Sequence, residues 1–258
     1  NGNVIAGQIS DTGSFVKKGS GNLKLTGHNI YRGGTSINDG TLIVNSISLP
    51  QSIIQPSATL TNAGILEFDQ ASNGSFGGDI FLNSTAATIV VTGNGLLTFT
   101  GALSGTGKLS LNAADVVLKN AANHYSGGTL VSLGSTLEGF SPAIQGSIAN
   151  DGQVIFDQDI DSVFSGSFNS TVSTSTIVKN GLGRLTFNQN SPNFHGTTKV
   201  QNGTLTLNGV LGGNMTVTTA TLRGHGTLLG NLTNSGTLEP GNSIGTLNIF
   251  GNYTQTSE

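Results

Sequence analysis

Residues 62–99 and 150–187 are nearly one sequence written twice. They align without a gap at an offset of 88 residues (150 minus 62): NAGILEFDQ against NDGQVIFDQ, Phe76-Gly77-Gly78 against Phe164-Ser165-Gly166, and TIVVTGNGLLTF against TIVKNGLGRLTF. Self-similarity at this period implies units that cannot bury their apolar faces alone and must stack on one another. A sandwich or closed barrel gives no reason for such a copy. Propeller blades need repeats of roughly 40–50 residues with four strands each, and blade signatures are missing here.

A shorter pattern overlaps the long one. Phe15 to Asn45 and Ile177 to Asn208 share it, and a split, less regular version runs through Leu96–Gly101 and Leu118–Leu137. Each carries Gly-x-Gly before a short alternating strand. Each then has an aromatic before a turn of small residues: Tyr31-Arg32-Gly33-Gly34-Thr35, Tyr125-Ser126-Gly127-Gly128-Thr129 and Phe194-His195-Gly196-Thr197-Thr198. Leu23/Leu25, Leu42/Val44, Leu66/Phe68, Leu97/Phe99, Leu185/Phe187 and Leu205/Leu207 alternate with polar neighbours. Period-two alternation means one face in and one face out. No long stretch has helical periodicity. The expected fold is all-β: a right-handed parallel β-helix, or three-sided β-solenoid. At roughly 20–25 residues per coil it would have roughly eleven or twelve coils around a column of Leu, Ile, Val and Phe.

Composition agrees. Only 9% of the 258 residues are charged, 39 are Gly and 35% are apolar. That suits many short strands and many turns, and is too apolar for a disordered chain. Ten basic residues are scattered, so no nucleic-acid face can be assembled. No apolar run reaches the roughly 18 residues of a membrane span, and no secretion leader opens the chain. With no Cys, neither disulfides nor thiolate metal sites arise. The chain starts at Asn1 inside the repeat pattern and reads as a fragment of a longer protein.

The ordered string G-x-G-x-L-x-L, then G-G-T, then G-T-L-x-V resembles the passenger-associated transport repeat of autotransporters. Gly19 to Val44, within KKGSGNLKLTGHNIYRGGTSINDGTLIV, carries it closely. Leu238-Glu239-Pro240-Gly241-Asn242-Ser243-Ile244-Gly245-Thr246-Leu247, followed by Gly251-Asn252-Tyr253-Thr254-Gln255, looks like the last coils before the autochaperone region of such passengers. The resemblance covers nearly the whole chain. It implies export through a C-terminal outer-membrane barrel and folding outside the cell, on the bacterial surface or after secretion. Residues 1–258 are then expected to be a single β-helix segment, with a repeat-containing stem over 1–207. Residues 208–258 would be C-terminal coils leading toward an autochaperone and β-barrel region that the chain, ending at Glu258, does not include. On its own it would not secrete itself.

Several residues carry chemistry that must be weighed. His28, His124, His195 and His225 could suggest a metal, but their positions shift between copies, and zinc needs three or four convergent ligands. Asp157-Gln158-Asp159-Ile160-Asp161 mimics the start of an EF-hand loop; Ser162 replaces its turn glycine and Phe168 its bidentate Glu, leaving a weak calcium site or a solvated turn. With three carboxylates on one strand, alternation places them all on one face, which suggests sugar hydrolysis, but no second carboxylate cluster faces them. GALSGTGK at Gly101–Lys108 resembles a phosphate loop with its first glycine displaced and Leu109 in place of the magnesium-binding hydroxyl. GNSIG at Gly241 departs from the nucleophile elbow. Ser46 to Ser57 has no counterpart of equal length in the second large copy. It holds Leu49, Ile53 and Ile54 between Pro50 and Pro56, and is either an extra strand covering the core or an insertion on a binding face.

The expected function is therefore a non-catalytic, surface-displayed stalk or adhesin segment with no catalytic residues, cofactor or metal. Its ligand would be a protein or glycan on a host or neighbouring cell, with self-association open, no nucleic acid and no membrane insertion by this segment. A polysaccharide-acting β-helix enzyme and an oligomerising toxin segment are the alternatives. A sheet face with several acidic residues would favour the enzyme, and a smooth polar rod the stalk.

Overall fold

In the computed structural model, residues 3–50, 64–241 and 245–256 are described, together with the backbone of 54–56. Among the described residues every regular element is a β-strand. The chain divides into two compact units, residues 1–130 and 131–258. Each is a parallel β-solenoid, and together they make about twelve turns.

In the first unit the principal sheet runs through Asn3–Ile5, Asn22–Leu25, Thr41–Val44, Ile65–Asp69, Thr88–Thr92 and Lys108–Leu111, each pairing in parallel with the next. A second sheet runs from Phe15–Lys17 through Thr35–Ile37, Ile54–Pro56, Ile80–Leu82 and Leu103–Gly105 to His124–Tyr125. A third joins Gly74–Phe76, Leu97–Phe99 and Asp115–Leu118. The reason is visible in the register. Leu42, Leu66, Ile89 and Leu109 stack directly, as do Val44, Phe68, Val91 and Leu111, and all eight are buried. Alternation places one apolar stripe inside, and parallel pairing repeats it on the next coil.

The second unit follows the same rule. Its main sheet joins Thr136–Gly139, Gln153–Asp157, Thr176–Asn180, Thr197–Val200, Asn214–Val217, Leu232–Asn234 and Tyr253–Gln255. Another joins Ser162–Phe164, Arg184–Phe187, Thr204–Leu207, Thr221–Gly224 and Thr237–Pro240, with Leu185, Leu205 and Leu222 stacked in its interior. A short third sheet holds Val210–Leu211, Thr227–Leu228 and Asn248–Ile249. Phenylalanines reinforce both copies of the long repeat. Phe68, Phe76 and Phe99 lie 5.3–6.4 Å apart by ring centroid, and their equivalents Phe156, Phe164 and Phe187 lie 5.1–6.0 Å apart. Edge-on packing of this kind is worth about 0.5–1.5 kcal/mol per pair beyond area burial.

Three expectations need correction. Coils are not uniformly 20–25 residues: the step from Leu222 to its partner Leu238 is only 16 residues, and that from Leu42 to Leu66 is 24. Corners, not strands, absorb the difference. Next, the column is not purely aliphatic and aromatic, since Lys17 and Lys179 are buried in it. Finally, Asp157, Asp159 and Asp161 do not share a strand face. The strand ends at Asp157, Gln158 turns inward and the other two carboxylates lie in the exposed corner. In the Ser46–Ser57 segment, Leu49 is buried and Ile54–Pro56 forms a rung between Thr35–Ile37 and Ile80, as expected for an extra strand. Ile53 and Ser57 lie outside the described residues.

Candidate functional site

The most distinctive polar residues of the repeats bond coil to coil. Two residues before each tyrosine stands a buried asparagine. Asn29 accepts from the Ile9 backbone N–H at 2.7 Å, and Asn123 from that of Leu103 at 2.8 Å. The tyrosine hydroxyls reach the threonines four residues on: Tyr31 to Thr35 at 2.5 Å and Tyr125 to Thr129 at 2.9 Å. In the third copy the aromatic is Phe194, and the buried Thr198 hydroxyl has no hydrogen-bond partner among the described residues. An unsatisfied buried hydroxyl costs about 1–3 kcal/mol. Phe194→Tyr is therefore expected to raise stability by about 1 kcal/mol, and Tyr125→Phe to lower it by a similar amount. Urea unfolding of the two variants checks the pair; the same sign in both would refute the role of this bond.

Gln70 and Gln158, equivalent in the long repeat, close another corner. Gln70 accepts from Ser46 N–H at 3.0 Å and donates to the Ser72 carbonyl at 2.7 Å; Gln158 accepts from Ser141 N–H at 2.7 Å and donates to the Ile160 carbonyl. The buried lysines clamp the Gly-x-Gly turns. Lys179 Nζ donates to the carbonyls of Asn180 (2.6 Å), Gly181 (2.7 Å) and Asn202 (3.1 Å). Lys17 Nζ donates likewise to Lys18, Gly19 and Asp39. Burial pulls Lys179 down to about 8, against the upward pull of Asp157, Asp159 and Asp161.

That shift has a sign that can be measured. An unfolded lysine keeps its proton to about pH 10.4. Between about pH 8 and that value the unfolded chain binds more protons than the folded one, so stability rises with pH. The cost of burying the charge is present in full below that window. Denaturant unfolding from pH 7.5 to 10 is expected to show this gain in the wild type and not in Lys179→Met. Parallel curves for the two proteins would contradict it.

The conspicuous candidates of the sequence fare as follows. His28, His124, His195 and His225 are all exposed, and among the described residues no three His, Cys, Asp or Glu converge as a metal site would need. Asp159 and Asp161 accept from the backbone N–H groups of Leu182 (3.3 Å) and Arg184 (2.8 Å), and Asp161 pairs with the Arg184 guanidinium at 2.9 Å. In the phosphate-loop look-alike, the N–H groups of Thr106 and Gly107 donate to the Leu82 carbonyl of the coil beneath instead of forming a cradle. Gly241 is buried and bonds to Gly224; Asn242 to Ile244 lie outside the described residues.

Two surface depressions among the described residues bear on function. In the first unit a groove of about 480 Å³ is bounded by His28, Ile30, Arg32, Ile47, Pro50 and Ser75. It adjoins the segment without a counterpart, whose Ile47 is 65% exposed. In the second unit a shallow face of about 330 Å³ has a floor of Ile155 and Val178 and a rim that includes Glu138, Asp157, Asn180 and Lys199. The register explains this face: Glu138, Ile155, Val178 and Lys199 are consecutive outward partners across four strands. No single motif in the sequence announces either depression, because each is assembled from coils that are distant along the chain.

The family model described as passenger-associated-transport-repeat matches residues 15–44 and 177–207. Those are the two segments that carry the lysine clamps. Over 167 residues, 60% of the chain, the sequence is 32% identical to the adhesin BmaC autotransporter of Brucella suis biovar 1 (strain 1330). The chain spans only 5% of that relative's length. No solved structure matches it.

Proposed function

We propose that this chain, which is similar to autotransporter passengers and carries two passenger-associated transport repeats, is a non-catalytic stalk whose exposed corners and grooves bind a ligand on another cell surface. Passengers of this kind are carried to the cell surface or secreted across the outer membrane. One observation carries the reading: the Asn, Tyr, Gln and Lys side chains that recur in the repeats are engaged in coil-to-coil and turn bonds. What the coil-to-coil bonds leave unoccupied is the outward surface. The groove beside Ile47 is the first candidate for a protein or glycan, since it combines apolar area with the Arg32 cation. Residues 208–258 are taken as coils leading toward the exporting end.

The Glu138–Asp157 face gives a second reading, polysaccharide cleavage, one specific observation. Display of the chain on a non-adherent bacterium tests the first reading: adherence to epithelial cells or matrix-coated wells should rise well above an empty carrier. Incubation with pectins and other acidic glycans tests the second. Reducing ends that appear with the wild type and vanish in Asp157→Asn would overturn the non-catalytic account.

A further inference from the structure

The long repeat contains its own control, because one chain builds the same corner twice. Where the fold makes demands, the copies agree: Phe68 and Phe156, Gln70 and Gln158, Gly95 and Gly183, Leu97 and Leu185. Asn73 and Asp161 also keep one task, accepting from the backbone N–H of Leu96 at 3.0 Å and of Arg184 at 2.8 Å. Where the surface turns outward, they diverge. Ala71, Ser72, Ser75 and Asn94 of the first copy become Asp159, Ile160, Val163 and Leu182 in the second.

The result is an exposed apolar ridge. Leu182 is 82% exposed, Ile160 78% and Val163 52%. Leu182 and Ile160 stand on successive coils at one corner. The Leu182 N–H donates to Asp159, and a Cβ on Gly183 would lie 2.6 Å from the Ile160 nitrogen. The fold does not require this apolar surface, since the first copy makes the same corner with Ser72 and Asn94. Around the ridge stand Asp157, Asp159 and Asp161. Arg184 neutralises only Asp161, and the Lys179 ammonium is buried and held by carbonyls.

We propose that this corner of the second unit is a docking surface for a partner protein segment that carries basic and apolar side chains together. The apolar ridge supplies burial, and the acidic rim selects positive charge and repels acidic competitors. The proposal deepens the adhesive reading by naming a surface and a partner chemistry.

The test transplants the first copy's surface onto the second: Asp159→Ala, Ile160→Ser, Val163→Ser and Leu182→Asn in one protein. Because the chain already folds with those residues at the equivalent corner, the variant should keep its melting temperature and protease resistance. The probe is a fluorescein-labelled twelve-residue peptide of alternating Lys and Leu, read by anisotropy. Its Kd should weaken at least tenfold in the variant, and its binding to wild type should weaken with salt. The matching Glu–Leu peptide should bind neither protein. Equal affinity for both proteins, no binding at all, or equal binding of the Glu–Leu peptide would overturn the proposal. So would wild-type self-association in sedimentation velocity that the variant abolishes, since the occupant would then be a second copy. Adherence of displayed wild-type chain that the variant retains would sink the ridge and leave the adhesive reading standing. Absence of adherence with a positive peptide result would do the reverse.

Discussion

Leu185→Asp should unfold much of the second unit, while Thr186→Asp, one residue away, should cost little. Leu185 is fully buried, with Ser162 on one neighbouring coil and Leu205 on the other. Thr186 points outward between Val163 and Thr206. An isolated carboxylate at 185 must either ionise in an apolar column or hold its proton far above its usual pKa, and either costs several kcal/mol. Among the described residues the one cation buried in this unit's core, Lys179, is engaged by three carbonyls and offers no ready partner. A loss of that size is comparable to the roughly 5–15 kcal/mol that holds a typical domain together. Because a solenoid's contacts are nearest-neighbour, new cut sites in limited proteolysis should cluster on the adjoining coils. Equal resistance of the two variants would mean that the in–out register is misplaced.

Gly183→Ala should also be damaging, though less so than Leu185→Asp, and Leu182→Ala close to neutral. A methyl on Gly183 would lie 2.5 Å from the Asp159 carbonyl carbon and 2.6 Å from the Ile160 nitrogen, both backbone atoms of the coil beneath. Backbone cannot step aside as a flexible side chain would, so the coils must separate locally and the Lys179 clamp next to them must loosen. Overpacking of this kind costs about 1–3 kcal/mol, occasionally more. Leu182 is largely exposed, and truncating it should stay within about 0.5 kcal/mol. Gly95 occupies the same position in the first unit, with the Ser72 backbone 2.3–2.5 Å from its added carbon. Gly95→Ala should therefore repeat the effect there. Thermal melts of the three variants settle the order.

The solenoid was legible because its signals are local and repeated. Alternation at Leu42/Val44 and Leu185/Phe187 gave the inward stripe, and the 88-residue copy required stacking. What the sequence concealed lies in long-range bonds. Lys17 and Lys179 look like ordinary surface cations in strings such as FVKKGSG and IVKNGLG. Only their position two residues before a Gly-x-Gly, an inward one by alternation, hinted that they are buried. Asn29 and Asn123 could have been found from the recurring Asn-x-Tyr-x-Gly-Gly-Thr. The coil lengths could not, because corners of different size join strands in the same register. The acidic run departs from alternation for a related reason: the strand ends at Asp157, where Gln158 turns the corner. The two depressions and the apolar ridge were hidden because each joins residues of successive coils, about 20 positions apart in sequence for a repeat of this kind.

The parallel, in-register stacking of coils can be tested directly, since the chain has no cysteine to interfere. Ser75 pairs with Thr98 in the first unit, and Val163 with Thr186 in the second. These are equivalent outward pairs of the long repeat, 23 residues apart within each unit (98 minus 75, 186 minus 163). Neighbouring strands lie about 4.8 Å apart, within the span of a disulfide. The double variants Ser75→Cys with Thr98→Cys, and Val163→Cys with Thr186→Cys, should both oxidise to intramolecular disulfides under mild conditions. Shifting one partner by a residue, to Leu97→Cys or Leu185→Cys, places a thiol in the interior and should abolish the bond. Efficient cross-linking in the shifted pairs, or none in the aligned ones, would contradict the stacked solenoid and every surface assignment built on it.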